Sequence, residues 1–247
     1  MARLVDHMGS DEAIVEAARV SYAKGTKAVS DNRGLIRYLM RHKHTTPFEM
    51  VEFKFHIRAP IFVARQWMRH RTASVNEVSA RYSILEDDYF LPEHLRTQSS
   101  TNRQGSEEEM TDDQLLILKQ KASCDMAFHV YEDLLKHGCS RELARTHLPV
   151  STMTEFFWKI DLHNLFHFLK LRMDSHAQPE IQVLAKQVYE LIKPVVPLAC
   201  EAFEDFVLNS LTLSGPEVEA LRSKTNTVPG VSENREFQEK ILRIYKC

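Results

Sequence analysis

Polar and apolar residues alternate most cleanly at 51–58. Val51, Phe53, Phe55 and Ile57 are apolar, and Glu52, Lys54, His56 and Arg58 between them are polar. Strand side chains point to alternate faces, so this run predicts a half-buried strand. A second strand is expected over 152–159, where threonines precede Phe156, Phe157 and Trp158. Elsewhere the spacing is helical. Ser10-Asp11-Glu12 predicts an N-cap with an acidic first turn, opening a helix over 11–23 that carries Ile14, Ala17, Ala18 and Ser21. Leu35, Ile36, Leu39 and Met40 mark a second helix over 31–42. It must end before Thr46-Pro47, because the residue ahead of a proline is pushed out of the α region.

Pro60 opens a short helix whose wheel separates Val63, Ala64, Trp67 and Met68 from Arg65, Gln66 and Arg69. Residues 71–80 are expected as loop or short helix, and 81–84 as a return to strand. Thr111 is the expected cap of a long helix, 112–137, ending at Gly138, with Leu115, Leu118, Ala122, Met126, His129 and Leu134 on its apolar face. Ser140 starts another short helix. Asp161 caps a helix over 162–173, with Leu162, Leu165, Phe166, Leu169 and Met173 facing inward. Its wheel puts His163 and His167 on one flank and Arg172 on the opposite one. The helix would then stand between two ligands, or serve different sites of an oligomer. A further helical stretch covers 179–209, broken near Pro194 and Pro197.

Strands and helices intermix without a βαβ rhythm and without a Gly-rich phosphate loop. The expected fold class is α+β, with a mixed, largely antiparallel sheet packed against several long helices. Residues 1–214 are expected to form one domain, with a mobile surface insertion at about 97–113 where the composition turns polar. Residues 215–247 are expected as an extension with one amphipathic helix carrying Phe237, Ile241, Leu242 and Tyr245.

Composition narrows the function classes. Hydrophobic residues make up 43% of 247, enough for a core. The 32 basic and 34 acidic side chains leave a net charge of −2, so bulk electrostatics argues for neither nucleic acid nor membrane as partner. Cys124, Cys139, Cys200 and Cys247 are widely spaced and form no Cys-x-x-Cys, which fits a reducing, cytoplasmic setting. No signal-peptide run or membrane-spanning stretch is present in the sequence, so a cytoplasmic protein is expected.

The densest chemistry is Arg65-Gln66-Trp67-Met68-Arg69-His70-Arg71, continuing through Glu77-Val78-Ser79-Ala80-Arg81. Arginine offers a planar fork suited to phosphates and carboxylates. Alone, such a cluster is equally a solvated turn or a nucleic-acid contact, although the interleaved acids argue against the latter. The pair His163-x3-His167 beside Asp161, and His42-x-His44, could chelate a metal, but the glutamate of a zincin helix is replaced by Asn164; no metal site is expected. Ser79 lacks a nucleophile-elbow context and a neighbouring base. Phe156, Phe157 and Trp158 have the spacing of core aromatics.

The run Arg69-His70-Arg71, seven residues, then Ser79 resembles the signature of the flavin-dependent thymidylate synthases. In order along the chain, His44-x-Thr46-Pro47-Phe48-Glu49, Arg145-x-x-Leu148-Pro149, Phe156-Phe157-Trp158 and Arg172-x-Asp174-Ser175-His176-Ala177-Gln178 are similar to that family as well. The segments span roughly 10–210 and leave out 97–113 and the tail. The resemblance implies methylation of dUMP to dTMP, with 5,10-methylenetetrahydrofolate as carbon donor, FAD as hydride carrier and NADPH as reductant, in a homotetramer with active sites between subunits. It implies dUMP contacts at Gln66, Trp67, Met68, Arg69, Glu77, Val78, Ser79, Ala80, Arg81, Arg145 and Arg172, with Arg172 as the activating cation. It implies FAD contacts at Thr46, Arg69, His70, Arg71, Glu77, Asp161, Leu162, His163 and His167. The family often has asparagine where this chain has Asp161 and His167. None of the four cysteines follows a proline, as the nucleophile of the classical thymidylate synthases does, so activation of the uracil is expected to be electrostatic.

Overall fold

A computed structural model of the chain describes residues 1–20, 31–100 and 103–245. Residues 21–23 of the first expected helix, Thr101 and Asn102 of the insertion, and Cys247 lie outside the described residues. The chain divides into two units, 1–201 and 202–247.

The alternating run forms β2 (Glu52–Pro60), which pairs antiparallel with β6 (Met153–Asp161). Phe53, Phe55 and Ile57 lie opposite Ile160, Trp158 and Phe156, and all six side chains are fully or nearly fully buried. The intervening residues face outward; Phe157, opposite His56, is 40% exposed and stacks on its ring with centroids 5.1 Å apart. The sheet is completed by β1 (Ala2–Met8) beside β2 and by β3 (Ser74–Glu77) beside β6, giving the order β1-β2-β6-β3 with every pairing antiparallel. Neither edge strand was expected. β1 carries mostly exposed side chains and β3 four exposed ones, so burial left no alternation to read. The expected strand at 81–84 is a turn, in which the N–H groups of Tyr82 and Ser83 both donate to the Ser79 carbonyl at 3.0 Å.

Helices cover the inner face. Ser10 caps α1 (Asp11–Arg19), Asp31 caps α2 (Asn32–Arg41), and Pro47 sits in the first turn of α3 (Thr46–Glu49). α4 (Ile61–Trp67) follows β2 directly and buries Val63, Ala64 and Trp67. The polar 97–113 segment is not bare loop: β4 (Arg96–Gln98) and β5 (Ser106–Glu109) form an antiparallel hairpin within it. α5 (Gln114–Lys136) begins at Asp113, not Thr111. Its buried residues are Cys124, Ala127, Phe128 and Tyr131. The stripe expected to face inward is outside: Leu115, Leu118 and Met126 are 60–63% exposed. A long helix with apolar residues on several sides does not declare which side the domain covers.

After α6 (Arg141–Ala144), β6 leads into α7 (Leu162–Arg172), then α8 (Pro179–Ile192) and α9 (Pro197–Phe203). Asp161 caps α7 as expected, accepting from Asn164 N at 2.9 Å. The buried face of α7 gains Phe168, which the wheel omitted, while Met173 is only half-buried. Asp11 is almost fully buried because its carboxylate accepts from Leu198 N and Ala199 N at the start of α9.

In the 202–247 unit, α10 (Gly215–Arg222) and α11 (Val231–Tyr245) enclose Ala220, Val228 and Phe237. Glu217 closes a capping box with Ser214 and pairs with Lys240 at 2.8 Å. Of the expected stripe on α11, Phe237 is buried and Ile241 packs beside it, whereas Leu242 and Tyr245 are exposed.

Candidate active site

The end of α4, the end of α7 and one aromatic cluster fix a cavity together. Trp67 closes α4 and is fully buried, its ring 5.1 Å from Trp158 and 4.4 Å from Phe168. Phe168 in turn lies edge-on to His70 at 4.9 Å. The chain leaving α4 is therefore nailed to the core just before its Arg-His-Arg run, and that run meets α7 across the cluster.

The cavity formed there is about 500 Å³. Its walls carry Arg69, Arg71 and Arg172, with His70, His167, Thr72 and Asn164, closed by Ile160 and Leu171. Among the described residues, no acidic side chain lines it. Among the described residues, Arg69 and Arg71 form no ion pair and no side-chain hydrogen bond. Other arginines of the chain are paired: Arg33 and Arg37 with Glu201, Arg81 with Glu142, Arg96 with Glu180. Guanidiniums gathered without a carboxylate are an anion site in waiting, since they repel one another until negative charge arrives.

Arg172 is held on two sides. Its Nε donates to His70 Nε2 at 3.1 Å and its Nη2 to the Gln66 carbonyl at 3.2 Å. That carbonyl is one of the orphan acceptors at the end of α4, where a cation also meets the negative end of the helix dipole. The Nη1 amino group and the second Nη2 N–H stay available to a ligand. Burial, then the neighbouring Arg172 and His167, push the His70 pKa down to about 4. His70 is thus neutral at pH 7, which it must be to accept from Arg172.

Asp161 does not line the cavity. One oxygen takes Asn164 N at the helix start and the other takes Asn164 Nδ2 at 2.7 Å. Its charge is spent on the positive end of α7, and the side chain presented to the cavity is Asn164, which the sequence reading missed. Only its position one turn before His167 could have signalled it. The expectation that Arg172 and His167 lie on opposite flanks of α7 is corrected, because both line this cavity and both contact His70.

The remaining predicted residues fall elsewhere. Met68 is the half-buried C-cap of α4. The side chains of Trp67 and Leu162 are fully buried core. His163 is half-buried and does not line the arginine cavity. Glu77 accepts from Thr154 Oγ1 at 2.7 Å, and Val78 N donates to the Glu155 carbonyl at 2.9 Å. Beyond them a turn holds Ser79, Ala80 and Arg81. Ser79 Oγ accepts weakly from Arg81 N at 3.3 Å, and Arg81 reaches Glu142 at 3.2 Å, three residues before Arg145. Thr46 lines a separate cavity of about 790 Å³ with His44 and Tyr38. Among the described residues, no hydrogen bond or ion pair joins the 79–81 turn or Arg145 to the arginine cavity.

Comparisons with known proteins agree on one family. A family model described as thymidylate synthase complementing protein matches residues 3–198. The chain is 55% identical over 238 residues to a flavin-dependent thymidylate synthase of Dictyostelium discoideum, covering 94% of this chain and 78% of that protein. It is 56% identical over 220 residues to one of Thermus thermophilus, covering 89% and 81%. Among solved structures, the UMP/dUMP methylase PolB of Streptomyces cacaoi, bound with 5-Br dUMP, is similar with a TM-score of 0.77 and 38% identity over 84% of this chain and 96% of that one.

Proposed function

The chain belongs to the flavin-dependent thymidylate synthases, which are methyltransferases, and from that premise we propose that it converts dUMP to dTMP with 5,10-methylenetetrahydrofolate as carbon donor, FAD as cofactor and NADPH as reductant. The observation that carries the proposal is the cavity lined by Arg69, Arg71 and Arg172 with no acid on its walls. The donor set fits phosphate-bearing ligands and a base that must accumulate negative charge.

Arg172 is assigned as the catalytic cation. Its remaining N–H groups stabilise charge spreading through the uracil ring, and His70 with the Gln66 carbonyl hold the guanidinium in place while they do so. Gln66, Met68 and Arg69 bind the nucleotide on the α4 side, Trp67 through its backbone. Arg69, His70, Arg71 and His167 are assigned to FAD, with Leu162 and His163 near the start of α7. Asp161 serves them indirectly by orienting Asn164. FAD, when bound and reduced by NADPH, would supply the hydride that completes the methyl group.

A cysteine nucleophile is not required by this scheme. Cys124 and Cys200 are buried and neither lines the cavity. Ser79 binds and does not attack, since among the described residues its hydroxyl is hydrogen-bonded to no histidine or carboxylate that could act as its base.

The other assigned groups, Glu77, Val78, Ser79, Ala80, Arg81 and Arg145 for dUMP and Thr46 with Glu77 for FAD, belong to separate neighbourhoods of one chain. We infer that a homotetramer brings one subunit's 79–81 turn and Arg145 to another's arginine cavity. The outward stripe Leu115, Leu118 and Met126 on α5 supports such an assembly, because exposed apolar residues at helical spacing want a partner. The proposal places the protein in the cytoplasm.

The test is spectroscopic. Purified protein should be yellow, its flavin spectrum should shift on adding dUMP, and dTMP should form when methylenetetrahydrofolate and NADPH are supplied. Colourless protein that binds neither FAD nor dUMP overturns the proposal.

A further inference from the structure

Gln66 is gripped from both ends of the connection between α7 and α8. Arg172, the last residue of α7, donates to its carbonyl, and its side-chain Nε2 donates to Gln178 Oε1. Gln178 occupies the N-cap of α8 but makes no side-chain capping bond there. The N-cap is where a short Ser, Thr, Asp or Asn side chain takes one of the helix's orphan N–H groups. Ser10, Asp31, Ser140 and Asp161 do so in this chain. A local preference given up without local gain marks a residue working elsewhere. The turn behind Gln178 is tied down independently: His176 N donates to Asp174 Oδ1 at 2.8 Å, and Gln182 Nε2 donates to the Ala177 carbonyl at 2.6 Å. Gln178 thus reaches Gln66 from a fixed base.

We propose that Gln178 is a positioning residue for the reaction: it fixes the Gln66 side chain, so that Gln66 and Arg172 meet the nucleotide in one register. This rests on the arginine cavity being the nucleotide site; Gln178 itself lines the separate cavity beside β4 and β5, so it acts on that site only through Gln66 and the Arg172 that holds the Gln66 carbonyl. Glutamine has the reach to bridge from the start of one helix to the end of another, and a capping serine does not.

The test compares Gln178→Ser, Gln178→Glu, Gln66→Ala and the double variant Gln66→Ala with Gln178→Ser, in the flavin-loaded enzyme. Gln178→Ser installs a capping hydroxyl and removes the bridge. It is expected to raise the Tm while lowering kcat/KM for dUMP by about 10- to 100-fold, the range set by small misplacements of a reacting partner. A residue that only held the fold would lower both. Gln178→Glu keeps an acceptor of the same reach and should recover most of the activity. In the double variant the losses should not add, because one residue acts through the other. An unchanged kcat/KM in Gln178→Ser, or additive losses, overturns the inference alone. If Gln66→Ala and Arg172→Ala both retain full thymidylate synthesis, the nucleotide-site reading fails and takes the inference with it.

Discussion

The cavity walled by the β4 and β5 hairpin encloses about 910 Å³, against about 500 Å³ for the one where α4 and α7 end. The larger has more room and more hydrogen-bonding groups, yet the arginine on its wall is already paired. Arg96 pairs with Glu180 at 2.7 Å and also donates from Nε to Ser106 at 2.9 Å, while Glu107 accepts from Ser99 and from Ser100 N. The smaller has three arginines and no acid. Volume reflects how an inserted hairpin packs against α5 and α8. Capacity for an anion reflects donors that the fold has left unanswered, and on that measure the smaller cavity is the proposed site.

Removing a guanidinium from each cavity in turn is the sharpest way to break this comparison. Arg172→Ala should lower kcat for dTMP formation by about 100- to 1,000-fold, the usual loss when one preorganised donor to developing charge is deleted. Single-turnover flavin oxidation would show whether the loss lies in chemistry. Full turnover would remove Arg172 from its role. Ligand binding gives the next largest effect. Saturating FAD or dUMP at about 100 times its Kd should stabilise the fold by about 2.7 kcal/mol, seen as a rise in Tm. Arg69→Ala should abolish much of that rise, and added salt should shrink it. A rise that ignores both would place the anion elsewhere.

The sequence was most readable where burial alternates. β2, β6, α2, α4 and the Asp161 cap lie where the pattern puts them, because each has one face in the core. The edge strands β1 and β3 were invisible for the opposite reason: their side chains are mostly exposed and only backbone pairing holds them. α5 misled by offering an apolar stripe that faces outward. In the candidate site, residue type marked Arg69, His70 and Arg71 as one cluster, and only the family resemblance added Arg172. Neither could show that His70 would bridge Arg172 to His167, since that contact spans about a hundred residues of chain and depends on Phe168 seating the two segments on one aromatic cluster.

His70 adds a pH signature to the smaller cavity. Its pKa falls from 6.5 to about 4 on folding, so the unfolded chain binds more protons between those values. Stability should therefore rise with pH through that window and be fully present above 6.5, with the His70 contribution lost as pH falls toward 4. The protonated ring could no longer accept from Arg172. His70→Gln, which keeps an acceptor without a titrating group, should flatten this part of the Tm profile between pH 4 and 6.5. An unchanged slope would mean that another group titrates there.

The smallest effect on activity is expected from the larger cavity, and it is the most discriminating. Arg96 and Glu180 are 26% and 12% exposed at their side chains, and one Glu180 oxygen is buried without a partner. Arg96→Ala would strand that carboxylate, at a cost of about 1–3 kcal/mol, and the Tm should fall accordingly. Turnover should stay within about twofold, a change worth less than about 0.5 kcal/mol. Gln178 lines the same cavity two residues before Glu180, but its own bond to Gln66 and the tied 174–177 turn hold it without help from the hairpin. If Arg96→Ala instead loses as much kcat/KM as Arg69→Ala while its flavin content stays normal, the hairpin cavity is part of the active site and the distinction between answered and unanswered charge no longer separates the two.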